Sequence, residues 1–222
     1  MWRLQLRRLP YRKRIAGTAL QACWHAPLPS TSSDWREVSF LVVDAEMSSL
    51  DASTGELLSV GWVVVQQGSI SLASAEHHLI RAENSVGQSA TIHNLRDHDL
   101  VDAREREQVL EHFLEVAAGK VLVFHNAVLD LAFLNKICRR YFHAPLLMPV
   151  VDTLLQEESL LRRREQAIKT GELRLQACRD RYNLPRFHGH NALLDALATA
   201  ELLIAMASHR AAGKQLPLRQ LL

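Results

Sequence analysis

The hydrophobic and polar positions of this chain separate strands from helices within a few residues. Val38 to Ser48 is a nearly unbroken β-branched and aliphatic run, the pattern of a strand buried on both faces in the middle of a sheet. Leu57 to Gln67 and Ile70 to Ile80 are two further strand-like runs joined at Gln67-Gly68-Ser69, which reads as a hairpin turn. Three antiparallel strands are therefore predicted. Thr91 to Leu95 forms a short loop or helix start. From Asp102 to Ala118 the apolar positions Val109, Leu110, Phe113, Leu114 and Ala117 recur at helical spacing. Lys120 to Phe124 is a short buried strand, and a helix opens after it with Asn126 as N-cap and a stripe through Leu131, Leu134 and Ile137. Val150 to Thr153 makes one more strand and cap. It leads into a helix whose middle is Arg162-Arg163-Arg164, then a helix over Gly171 to Tyr182 and a long Ala- and Leu-rich one over Asn191 to Ser208. This order of strands and helices implies an α/β fold, a mixed sheet with helices packed on it.

Composition sharpens this picture. At 222 residues and 25.1 kDa, with 48% hydrophobic residues, the chain fits one domain with a full core. Cys23, Cys138 and Cys178 form no close pair and no metal-ligand spacing, so a disulfide framework is not expected and a reducing, cytoplasmic setting is. The apolar runs fall short of a membrane span, which argues against an integral membrane protein. The formal charge of +2 hides an asymmetry: the first 33 residues hold six Lys or Arg and no acid, which leaves 20 basic against 24 acidic residues in the body. An acidic body suits a site where metal ions, rather than Lys and Arg, meet phosphate. Residues 1–36 are expected as a basic extension outside the core fold. Three readings stand for it: an arm touching nucleic acid, a targeting peptide, for which Leu20-Gln21-Ala22-Cys23 is a faint lipoprotein-like signal, or an amphipathic piece docked on the body. The main domain is expected over residues 37–209, with a short tail over 210–222.

The candidate chemistry lies in four acids and a histidine. Asp44 and Glu46, two apart on the central strand, project from one side and converge. Unpaired, they would repel until one became neutral, whereas a hard divalent ion such as Mg²⁺ or Mn²⁺ keeps both as anions. Asp130 is placed in the first turns of its helix, where the dipole favours an anion. Asp195 follows His190 by five residues, about 140° apart on a helix, so His190 must precede the helix, in a mobile loop, if both serve one site. Each has a bland reading: a strand running into a polar loop, a favourable helix start, a tolerated polar position. The histidines at 77, 78, 98, 112, 143 and 209 are expected at the surface or in packing.

Asp44-Ala45-Glu46, His125-Asn126-x-x-x-Asp130 and His190-x-Ala192-x-x-Asp195-Ala196, in that order, resemble the three motifs of the DEDDh 3′–5′ exonucleases, the group that contains the proofreading epsilon subunit of bacterial DNA polymerase III. The resemblance runs from about Val38 to Leu203. It implies a ribonuclease H-like mixed five-stranded sheet flanked by helices and hydrolysis of single-stranded DNA or RNA from 3′ ends to nucleoside 5′-monophosphates. It also implies two Mg²⁺ or Mn²⁺ ions about 4 Å apart. By that resemblance Asp44 bridges both ions, Glu46 and Asp195 hold the one that activates water, Asp130 supports the second through water, and His190 is the general base. Glu46, Ala45, Met47, His93, His125 and Asn126 are the implied substrate contacts. Met47, Asn94 and Gln88 depart from the usual Thr, Gly and acid, which bears on substrate preference rather than chemistry. A catalytically dead binding module is the contrasting reading, though such a chain is expected to lose an acid. A proofreading partner of a polymerase or sliding clamp is another, since Gln215-Leu216-Pro217-Leu218 faintly resembles a clamp-binding peptide.

Overall fold

A computed structural model describes residues 1–82 and 103–222. The central strand, β1 (Phe40–Met47), pairs antiparallel with β2 (Leu57–Gln66), which pairs antiparallel with β3 (Ser69–Leu79). The β2–β3 turn has Gln67 and Gly68 at φ 52° and 70°. Two left-handed central residues match the twist of the flanking strands, and Gly68 takes that conformation without steric cost. On the other side of β1, β4 (Val121–Phe124) and then β5 (Val150–Asp152) pair in parallel, giving the order β3-β2-β1-β4-β5. The expected mixed five-stranded sheet is thus observed, with the Asp-x-Glu strand at its centre.

Strand alternation sends the two halves of the chain's apolar inventory to opposite faces. Phe40, Val42, Val63, Val65, Val121 and Val123 pack against the last helix, which is labelled α7 below and spans Ala192–Ala211. Leu41, Val43, Trp62, Leu122 and Phe124 pack on the other face with α3 (Arg106–Ala117) and α4 (Ala127–Phe142). The remaining α-helices among the described residues are α1 (Trp2–Arg8), α2 (Ala19–His25), α5 (Thr153–Arg163) and α6 (Leu175–Asp180). The helix expected over Gly171 to Tyr182 is shorter because Gly171 sits at φ 89°, outside helical space. The α7 helix is long and apolar enough, by length and composition, to cross a membrane. The sequence reading passed over it, and its apolar residues Ala200, Leu203 and Ala207 are buried on the sheet.

The N-terminal segment differs from the expectation of an extension outside the core. Ile15, Leu20, Cys23 and Trp24 are buried in the same cluster as the sheet face beneath α3 and α4. Arg8 is 1% exposed. Its guanidinium donates through Nε and Nη2 to the Leu147 carbonyl at 3.0 and 2.7 Å and through Nη1 to the Trp24 carbonyl at 2.9 Å. A buried arginine is tolerated when its donors are spent on carbonyls in this way. Composition alone hid this, because a basic count says nothing about where each guanidinium ends. The C-terminal tail is also docked. Leu216 and Leu218 are 2% and 0% exposed, the Leu216 N–H donates to Asp34 Oδ2 at 2.7 Å, and the Trp35 N–H donates to the Leu216 carbonyl at 2.9 Å. The apolar residues that a clamp would need are therefore core residues here.

Candidate active site

The β1–β4 ladder runs only from Phe40 to Val42, so the C-terminal end of β1 is open on that side. There α4 brings in Asp130, 5% exposed, whose carboxylate takes a hydrogen bond from the Ala45 backbone N–H. Asp44 and Glu46 point from β1 to the α7 face, opposite the neighbouring Val43 and Ala45. A register shift follows Glu46 in the pairing with β2, an irregularity of the kind that re-aims side chains beside active sites. Carboxylate oxygens of Asp44, Glu46 and Asp195 all lie within 4.8 Å of one another.

Asp195 reaches this group because α7 lies unusually close to the sheet. Gly61 is paired with Asp44 across β1 and β2, and a Cβ built on it would fall 2.3 Å from the Leu193 nitrogen. Only glycine permits that approach. The sequence signal was available, a lone glycine in the run Val60-Gly61-Trp62-Val63-Val64-Val65, but its meaning depends on what lies above it. The first turn of α7 is capped from both directions. The Asn191 side chain accepts from the Leu193 and Leu194 N–H groups at 3.1 and 3.2 Å, and Asp195 Oδ2 accepts from the His190 and Asn191 N–H groups at 2.8 and 3.1 Å. His190 precedes the helix, as the 140° argument required, at φ 70° with its residue exposed. His188, also exposed, lies two residues earlier in the same loop.

Crowding these acids disfavours their ionisation. Burial, with Asp130, Asp195 and Glu46 as neighbouring anions, pushes the Asp44 carboxyl well above the usual carboxylate range. Burial pushes Asp130 up to about 8, against the opposing backbone hydrogen bonds from its own N–H and that of Ala45. Asp195 is raised as well, burial being the main cause. An all-oxygen set whose members resist ionising side by side is chemically suited to hard divalent cations, and Asp44, Glu46 and Asp195 could hold one, with Asp130 next to them.

The other expected contacts divide. The His125 ring is engaged at both nitrogens, with Nδ1 2.8 Å from Thr153 Oγ1 and Nε2 2.9 Å from the Leu173 carbonyl oxygen. It therefore braces the α4–α5 corner, where the sequence reading had it at substrate. Asn126 occupies the expected N-cap position, exposed at φ 74°, but its side chain makes no capping hydrogen bond. The carboxylate of Asp152 does that work, accepting from the Asn126 and Ala127 N–H groups at 3.0 and 2.9 Å while also capping α5 through Leu154 N–H at 3.0 Å. One acid thus satisfies two helix starts, a role the sequence reading missed because Asp152 and Ala127 are brought together only by parallel pairing of β4 and β5. Met47 is 6% exposed and Ala45 7%, and their side chains pack in the core beneath α3 and α4. His93, together with Gln88 and Asn94, lies outside the described residues.

Residues 41–203, a span that includes all four acids and His190, match the sequence model of the RNase T family, described as exonuclease. Among curated proteins, the chain is 29% identical over 176 residues to the DNA polymerase III PolC-type of Thermotoga petrophila, covering 79% of this chain and 12% of that one. It is 30% identical over 171 residues to the PolC-type polymerase of Caldanaerobacter subterraneus, covering 77% and 12%. The chain thus spans about an eighth of the length of these relatives. Among solved structures, a zinc-bound complex of E. coli ExoI with single-stranded DNA aligns with a TM-score of 0.67 at 13% identity, covering 79% of this chain and 41% of that one. The cell-death related nuclease CRN-4 aligns at 0.64 and 13%, covering 78% and 65%. At such identity the structures show a shared fold, the ribonuclease H-like arrangement, whereas the match over residues 41–203 shows descent. The chain belongs to the RNase T exonuclease family, the DnaQ-like 3′–5′ exonucleases.

Proposed function

We propose that this chain removes nucleoside 5′-monophosphates one at a time from the 3′ ends of single-stranded DNA or RNA, using two divalent ions. The convergence of Asp44, Glu46 and Asp195 oxygens within 4.8 Å, with Asp130 adjoining, supports this reading above all. When bound, such ions supply an acidified water and positive charge for the phosphoryl and leaving oxygens. The protein's own part is positional. Asp44, which stands among the other three carboxylates, would hold the ions together with Glu46, Asp195 and Asp130. His190 accepts the proton of the attacking water at its imidazole. Its backbone N–H is held by Asp195 Oδ2, so base and ligand are registered to each other. The ExoI structures bound to single-stranded oligonucleotides fit a single-stranded substrate.

The test is a time course on 3′- and 5′-labelled single strands of DNA and of RNA, with Mg²⁺, Mn²⁺ and EDTA. Mononucleotides should appear from the 3′ end only when metal is present. Asp44→Ala should lower the rate by several orders of magnitude. Activity surviving EDTA, or first products cut internally, would overturn the proposal. Action within a polymerase assembly is a second reading, favoured by the PolC-type names of the relatives. Retention of a purified PolC-type polymerase on the immobilised chain would support it, and passage straight through would count against it.

A further inference from the structure

Glu76, His78 and His112 lie on the sheet face opposite the catalytic carboxylates. Glu76 and His78 are two apart on β3, so they share a face, and Glu76 pairs with Trp62 of the cluster beneath α3. His112 descends from α3. The His78 and His112 Nε2 atoms approach one oxygen, Glu76 Oε2, at 3.0 and 2.8 Å, and the three potential ligand atoms lie within 4.8 Å of one another. We propose that these three residues form a binding site for a zinc-class divalent ion that pins the edge strand β3 to α3, independent of the exonuclease site.

Two imidazoles and one carboxylate are a donor set for zinc and its transition-metal neighbours rather than for Mg²⁺, which wants oxygen. Tetrahedral bonds of about 2 Å place neighbouring ligand atoms roughly 3.3 Å apart. The two imidazole–carboxylate separations need to open by only about half an ångström. The surroundings are those of ligands rather than of a chance contact. His112 Nδ1 lies 3.5 Å from Glu115 Oε2, so the ring has a carboxylate behind the nitrogen that would not bind metal, which sets the required tautomer. Glu76 Oε1 accepts from Trp62 Nε1 at 3.4 Å, which orients the carboxylate. The Trp62 ring lies 4.7 Å from that of His78 and 5.7 Å from that of His112 and fixes both imidazoles. The His78 side chain is 7% exposed, whereas Glu76 and His112 are 34% and 36% exposed, so the group opens to solvent where a water completes four-coordination. The competing account is a hydrogen-bonded triangle in which both neutral imidazoles donate to Glu76 and no ion binds.

Zinc titration of the chelator-stripped full chain, in excess Mg²⁺ to saturate the oxygen site, separates the two. Wild type should take up one zinc equivalent and Asp44→Ala should keep it, while His78→Gln and His112→Ala should lose it. Glu115→Gln should bind zinc about 10–100-fold more weakly. Zinc at a hundredfold excess over Kd should raise the wild-type melting temperature by about 5–10 °C and leave that of His112→Ala unmoved. Because His78 is buried, circular dichroism checks its variant, and the half-exposed His112 carries the decision. Absence of a zinc equivalent in wild type, or one that survives His112→Ala and vanishes in Asp44→Ala, would overturn the site.

Discussion

Asp195 accepts two backbone N–H groups through Oδ2, one of them from His190, and this arrangement does not depend on the His190 side chain. His190→Ala should therefore spare the metal site and substrate affinity while lowering turnover by about two to four orders of magnitude, with loss of the acid limb of the pH–rate profile. His188→Ala should be mild, and a reversal of the two effects would move the base assignment to residue 188. The second prediction at this scale concerns Asp130, pushed up to about 8 by burial. An acid whose folded value is raised holds its proton more tightly when folded, so its contribution is intact below its unfolded value of about 4 and is lost as the pH climbs through 8. Metal-free wild type should lose melting temperature across that window. Asp130→Asn should melt higher than wild type at pH 8 and nearly alike at pH 4, in EDTA. Equal pH dependence in the two proteins would mean that Asp130 ionises freely.

At the scale of elements, the site depends on how closely a helix rests on a sheet. Gly61 lets the first turn of α7, with Asn191, Asp195 and the residue before them, sit over the β1–β2 pair at Asp44. Gly61→Ala should displace that turn, since the added carbon meets helix backbone rather than a flexible side chain. Overpacking of this kind costs about 1–3 kcal/mol, and an ångström of misplacement at the chemistry costs about a hundredfold in rate. A melting curve and a kinetic assay on Gly61→Ala read both. Wild-type activity would show that α7 is free to lift without consequence. Asp152 works at the same scale, since a single carboxylate orders the starts of α4 and α5 and thereby places Asp130.

Over the whole molecule, segments near both ends contribute core residues. Ile15, Leu20, Cys23 and Trp24 are each 5% exposed or less, and full burial of a large apolar side chain contributes about 1.5–3 kcal/mol. Four such groups rival a domain's entire stability of about 5–15 kcal/mol. Deleting residues 1–33 should therefore unfold the body or lower its melting temperature steeply, measured by circular dichroism. A truncated protein that melts like wild type but binds single strands with a flatter salt dependence would return the segment to the role of a substrate-guiding arm.

Much of this protein was determined locally. The unbroken apolar runs of Val38 to Ser48 and Leu57 to Gln67, the helical spacing of Val109 to Ala117 and the Ala- and Leu-rich stretch Asn191 to Ser208 reflect which side chains each backbone turns inward, so the order of strands and helices followed from the chain itself. The same holds for the shared direction of Asp44 and Glu46 and for His190 preceding the helix of Asp195. Tertiary structure alone decided what depends on residues far apart in sequence: that Asp152 rather than Asn126 caps α4, that His125 spends its ring on Thr153 and Leu173, and that Arg8 is buried against Leu147. It likewise brought Glu76, His78 and His112 together, of which the two histidines read singly as surface or packing groups. The physical reason is common to all of these. A hydrogen-bonding group is satisfied by whatever partner the packed chain delivers within about 3 Å, and periodicity along one segment carries no information about that partner.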